Sequence, residues 1–123
     1  MALNILVVDD STAIRKILIR VLRQTALAIG EIFEARDGLE ALDIVRNHPL
    51  NLVLSDINMP NLDGLGLLAE LKGNEQWRSL PVVMITTEGG EEKVGQAIRL
   101  GSAAYIRKPF TAEQIQEKIG SIL

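Results

Sequence analysis

Five short apolar runs alternate along this chain with five stretches of helical spacing, and no other feature narrows the fold so far. The runs are Ile5 to Val8, Ile32 to Ala35, Leu50 to Leu54, Val82 to Ile85 and Ala104 to Ile106, each the length of a strand. Between and after them, Ile14, Ile17, Leu18 and Val21; Leu39, Leu42 and Val45; Leu67, Leu68 and Leu71; Val94, Ala97 and Ile98; and Ile115, Ile119 and Ile122 recur at helical spacing. Strict alternation predicts parallel strands joined by right-handed crossovers, a doubly wound (βα)5 architecture of the α/β class. The first, third and fourth runs are almost wholly apolar, as strands covered on both faces require. Glu31-Ile-Phe-Glu-Ala is more polar and suits an edge. Thr111 and Gln114 have capping-box spacing ahead of the last helix.

Composition restricts the functional classes. At 123 residues, 47% of them apolar and 24% charged, the chain has the size and balance of one globular domain, expected over residues 1–123. A formal net charge of -3 with scattered basic residues argues against a nucleic-acid partner, which needs concentrated Lys and Arg. The absence of cysteine removes disulfides and thiolate metal sites. The start, Met-Ala-Leu-Asn-Ile-Leu-Val-Val-Asp-Asp, lacks the pattern of a secretory signal, and no run reaches membrane-spanning length. A cytoplasmic location, with no membrane partner, is expected.

In a parallel sheet the C-terminal ends of the strands lie along one edge, where ligands bind. Asp9 and Asp10 follow the first strand, Asp56 the third; Thr86 and Thr87 close the fourth and Lys108 the fifth. In the order 2-1-3-4-5, known from doubly wound folds, the first and third strands are neighbours where the winding reverses, and the three aspartates share that crevice. Carboxylates so placed repel by roughly 4 kcal/mol per pair at ~4 Å and an effective dielectric of ~20. A hard divalent ion such as Mg²⁺, together with Lys108, would offset this. An oxygen nucleophile, a metal and a positioned cation and hydroxyl are the parts phosphoryl transfer requires, and Asp56, Asp10, Lys108 and Thr86 fit those roles.

The segments that carry these residues, Val-Val-Asp9-Asp10, Asp56-Ile-Asn-Met-Pro60-Asn-Leu-Asp-Gly64, Ile-Thr86-Thr and Lys108-Pro109-Phe110, resemble in order the pattern of response-regulator receiver domains, in particular single-domain chemotaxis receivers of the CheY type. The resemblance covers the whole chain and implies a flavodoxin-like five-stranded sheet of order 2-1-3-4-5. It implies that Asp56 accepts a phosphoryl group from a kinase phosphohistidine, and that Mg²⁺ is held by Asp10, Asp56 and the Asn58 backbone carbonyl, with Asp9 assisting through water. It further implies that Lys108 contacts the phosphoryl group and precedes a cis proline. Thr86 and Tyr105 would switch the face of the fourth helix, fifth strand and fifth helix, while Asn58 and Glu88 would tune hydrolysis of the acyl phosphate. The partners so implied are a histidine kinase, an output target such as a flagellar motor switch protein and a phosphatase, with the receiver itself monomeric.

Plainer roles compete at each position. Asp9, Asp10 and Ser11 suit the start of a helix; Asp56 alone would be a turn residue, Thr86 a strand residue, Tyr105 a packing residue and Lys108 a surface cation. His48, before Pro49, suits an exposed helix end, and Trp77 the rim of the core. Gly89, Gly90 and Gly95 lack a phosphate-loop lysine, since Gln96 stands there, and Asn61 and Leu67 break a calcium-loop pattern. Among rival functions, a haloacid dehalogenase-type phosphatase would carry an acidic residue where Asn58 stands. A phosphorylation-independent docking module would not need the intact acidic, threonine and lysine positions. A phosphorelay intermediate is the nearest alternative within the receiver class.

Overall fold

In the computed structural model the chain is described over residues 2–86 and 91–123. Five strands alternate with five helices: β1 (Leu3–Val8), α1 (Thr12–Gln24), β2 (Ile29–Ala35), α2 (Gly38–Asn47), β3 (Leu52–Asp56), α3 (Gly64–Lys72), β4 (Val82–Thr86), α4 (Glu91–Leu100), β5 (Ala104–Arg107) and α5 (Ala112–Ile122). The strands form one sheet in the order β2-β1-β3-β4-β5, and every pairing is parallel.

The apolar strands sort their side chains by alternation. Leu6, Val8, Val53, Val82 and Met84 enter one core, closed by Leu42, Val45, Leu67, Leu68, Leu71, Val94 and Ala97 of α2, α3 and α4. Ile5, Val7, Leu52, Leu54, Val83, Ile85 and Ile106 enter the other, closed by Leu18, Leu22, Ile115 and Ile119 of α1 and α5. The central strands are therefore buried on both faces, which is why their sequences show no polar side. Each wholly buried Leu or Ile contributes about 1.5–3 kcal/mol relative to exposure.

Local chemistry sets the helix starts near the C-terminal edge. The Ser11 hydroxyl accepts from Ile14 N, the Asp37 carboxylate from Glu40 N and the Asp63 carboxylate from Gly66 N, while Thr111 and Gln114 form the reciprocal capping box expected. Gly64 is required where α3 begins: a Cβ there would lie 2.2 Å from the Asp56 carbonyl oxygen. Gly64 N also donates to Ile57 O at 2.8 Å, drawing α3 against the end of β3. The β3–α3 loop is tied to the start of α2 by Gly38 N donating to Leu62 O at 2.8 Å and by Asn61 Nδ2 donating to Asp37 Oδ2 at 2.7 Å.

Every strand differs at one end or both from its apolar run, most of all β2 and β3. β2 begins at Ile29 rather than Ile32, because Leu3 pairs with Ile29 before a register irregularity between Leu3 and Ile5. Leu50 packs against the core but precedes β3, which begins at Leu52. His48 is exposed and follows α2 directly, its ring 4.4 Å from that of Phe33. Trp77 is half-buried against the core edge.

Candidate functional site

β1 and β3 pair in register up to Val8 and Ser55, so the residues that follow emerge side by side at the C-terminal edge. Asp9, Asp10 and Asp56 each place a carboxylate oxygen within 4.8 Å of the others. Asp9 is buried, Asp56 half-buried and Asp10 exposed, which grades the cluster from core to solvent. Lys108, immediately beyond β5, brings Nζ to 3.1 Å from Asp9 Oδ2 and 3.6 Å from Asp56 Oδ2. Its backbone N donates to Thr86 O at 2.7 Å, and the Lys108–Pro109 peptide is cis, as the resemblance implies. Thr86, the last residue of β4, is 4% exposed and lies between the third and fifth strand ends.

The electrostatics of Asp56 are those of a carboxylate held partly out of water. Burial pushes its carboxyl above the usual range, against the pull of the Lys108 ammonium; the neighbouring Asp9 charge adds to the rise, and N–H groups of Ile57 and Asn58 oppose it. The Ile57 N–H lies 2.8 Å from Asp56 Oδ1. Asp9 accepts from Ser11 N at 2.9 Å as well as from Lys108. One carboxylate is thus oriented by the start of α1, the other by the peptide beyond β3.

Asn58 is exposed at the mouth of this group, and its side-chain carbonyl accepts from Lys93 Nζ of α4. Tyr105 is exposed on β5, with Lys118 Nζ of α5 6.0 Å from its ring centroid, so its ring borders α5. Glu88 lies outside the described residues. Two contacts were not foreseen from the sequence, Lys93 on Asn58 and the guanidinium of Arg15 on the Asp9 backbone carbonyl at 2.7 Å. Arg15 stands four residues after the capping Ser11, a spacing that puts both on one helix face, but its other partner, Glu34, is distant in sequence and carried no signal.

A doubly wound sheet with a lysine-braced carboxylate group at the point where its winding reverses defines an α/β protein built for anionic or metal-assisted chemistry at one sheet edge. Residues 5–120 match the response regulator receiver domain family, and the chain belongs to that family of signalling domains. It is 36% identical over 122 residues to a chemotaxis protein CheY homolog of Campylobacter jejuni, covering 98% of this chain and 92% of that protein. The chemotaxis response regulator CheY4 of Vibrio cholerae superposes with a TM-score of 0.88 at 29% identity, with both chains fully covered. The receiver domain of NtrX from Brucella abortus does so with a TM-score of 0.86 at 37% identity, covering 97% of each chain.

Proposed function

We propose that this chain, over residues 1–123, is a phosphorylation switch in which Asp56 accepts a phosphoryl group from a histidine-kinase phosphohistidine and passes the signal to a protein target. The observation that carries the reading is the convergence of the Asp9, Asp10 and Asp56 carboxylates within 4.8 Å of one another, with Lys108 in ion-pairing distance of Asp9 and Asp56. Receiver domains bind Mg²⁺ in an acidic pocket, and the donor set here suits that ion: hard carboxylate oxygens, with an exposed Asp10 leaving room for retained waters. Asp10, Asp56 and the Asn58 carbonyl would hold it, with Asp9 assisting through water. Bound there, the ion would neutralise negative charge on the phosphoryl group.

The protein residues do the rest. An Asp56 carboxylate oxygen bonds phosphorus as the bond to the phosphohistidine nitrogen breaks, and that nitrogen leaves with the electron pair. Lys108 stabilises the charge that accumulates on the transferred oxygens. Thr86 then donates to the acyl phosphate, and Tyr105 turns inward, so that α4, β5 and α5 present an altered face. Asn58 and Glu88 set the lifetime of the adduct by their access to the attacking water. The output we favour is a flagellar motor switch protein, supported by the near full-length match to the Campylobacter jejuni CheY homolog. The NtrX resemblance, higher in identity than that to CheY4, favours as a second reading a receiver that feeds some other pathway or relay.

Intact-protein mass spectrometry after incubation with a small phosphodonor tests the chemistry. One labile phosphoryl adduct that requires Mg²⁺ is expected. Turnover of the donor without an adduct would instead point to a phosphatase, and an unmodified protein under kinase and Mg²⁺ to a docking module. A motor-switch peptide that binds the adduct and the unmodified protein equally would remove the messenger output.

A further inference from the structure

Arg15 is a strongly engaged cation that the phosphoryl-transfer reading leaves unused. Its side chain is 14% exposed, and its Nε lies 3.0 Å from Glu34 Oε1 on the edge strand β2. One terminal nitrogen donates to the Asp9 backbone carbonyl at 2.7 Å and the other to Thr12 Oγ1 at 3.1 Å. Glu34 also receives Lys16 Nζ at 3.0 Å. The Lys16 hydrogen bond, ahead of that from Arg15, holds the Glu34 carboxyl below the usual range although burial opposes it. Glu34 is therefore charged under ordinary conditions and offsets part of the charge of the two cations it holds. What remains is geometry: a planar fork whose N–H directions are fixed.

The carbonyl that Arg15 grips belongs to the peptide joining Asp9 to Asp10. The peptide on the other side of Asp9 is fixed as well, since Asp9 N donates to Ala35 O at 3.0 Å, and Ala35 is the neighbour of Glu34 in β2. The two peptides that flank Asp9 are thus anchored to adjacent residues of the edge strand, one directly to Ala35 and one to Glu34 through the guanidinium. We propose that Arg15, locked by Glu34, is a positioning residue that aims the Asp9 and Asp10 carboxylates and so sets the affinity of the crevice for a divalent cation. This inference rests on the Mg²⁺ site described above.

A positioning role and a field effect differ in sign. Removing a positive charge near the crevice would tighten cation binding, whereas releasing the Asp9–Asp10 peptide weakens it; outer partners of metal ligands typically carry 10–100-fold in affinity. The test is calorimetric titration of Mg²⁺ into wild type, Arg15→Ala, Arg15→Lys and the charge-balanced Arg15→Ala/Glu34→Ala, each well below its melting temperature. About tenfold weaker binding is expected in Arg15→Ala and in the double variant, and weaker binding in Arg15→Lys, which keeps the charge and loses the fork. Arg36→Ala, which breaks the exposed Arg36–Glu40 pair, should bind as wild type does and shows that loss of an ion pair alone does not move the constant. Binding within about twofold of wild type in the double variant, or tighter binding in Arg15→Ala, overturns the proposal. If Arg15→Ala fails to fold, wild-type affinity in Arg15→Lys does the same. A wild type that takes up no Mg²⁺ contradicts the metal site itself and not the role of Arg15 within it.

Discussion

The two ends of the sheet are built from the same strands and close in opposite ways. At the N-terminal end polar groups are consumed by the backbone. Asn4 N donates to Asn51 Oδ1 at 2.8 Å, Asn51 N returns to Asn4 O at 2.8 Å, and Glu31 N donates to Asn4 Oδ1 at 3.0 Å, which stitches the starts of β1, β2 and β3 together. Lys72 spends its ammonium on Arg78 O and Leu80 O at 3.0 and 3.2 Å. A groove of about 590 Å³ lies here, lined by His48, Leu50, Trp77 and Pro81 among others. At the C-terminal end the carboxylates of Asp9, Asp10 and Asp56 face one another, and a lysine offsets their repulsion. A hollow without converging charge is a packing feature; converging charge is chemistry even where the opening is small.

Two lysine truncations set that difference against itself. Lys108→Ala should slow phosphoryl transfer to Asp56 by about 100-fold, the scale of losing one preorganised donor to a developing anion. Stopped-flow or quench kinetics with a small phosphodonor would measure it. Lys72→Ala should cost about 1–3 kcal/mol in denaturant unfolding through its two carbonyl partners and leave the transfer rate unchanged. Equal rate losses in both variants would dissolve the distinction between the ends.

A smaller effect concerns the stability that the acidic end sacrifices. The Asp56 carboxyl is raised chiefly by burial, so its ionised form costs stability at pH values above its folded pKa. That cost is relieved as the pH falls through the folded pKa, and is gone below the unfolded value of about 3.9. Asp56→Asn should therefore melt higher than wild type at neutral pH in the absence of divalent ions, with the gap closing as the pH is lowered. Asp37 has the opposite sign: the Glu40 N–H, then Asn61, holds its carboxyl low, so its contribution is present above its unfolded pKa and lost as the pH falls through the folded one. A melting gap for Asp56→Asn that widened on acidification would contradict the burial account.

The central strands were legible in the sequence because they are buried on both faces: Leu52–Asp56 and Val82–Thr86 leave no polar side to confuse the period. The edge strand was less so. Gly30 and exposed Glu31 interrupt the apolar character of Ile29–Ala35, and only backbone pairing with β1 extends it to Ile29. The acidic residues and Lys108 could be read because each lies at or just beyond the C-terminal end of a strand, and parallel topology gathers those ends. Arg15 could not, since its partner Glu34 lies 19 residues away and neither residue stands at a strand end. The Lys93 contact with Asn58 likewise depends on how α4 returns across the sheet, which no local pattern encodes.

Asp56 is the proposed phospho-acceptor, and the most direct measurement identifies the modified residue chemically. Protein exposed to a phosphodonor with Mg²⁺ is treated with borohydride, which reduces an aspartyl phosphate to homoserine, and is then mapped by tandem mass spectrometry. Homoserine at position 56 alone, absent without Mg²⁺ or donor, is the predicted result. Homoserine at Asp9 or Asp10, or intact aspartate at all three positions after a confirmed phosphoryl adduct, would contradict it.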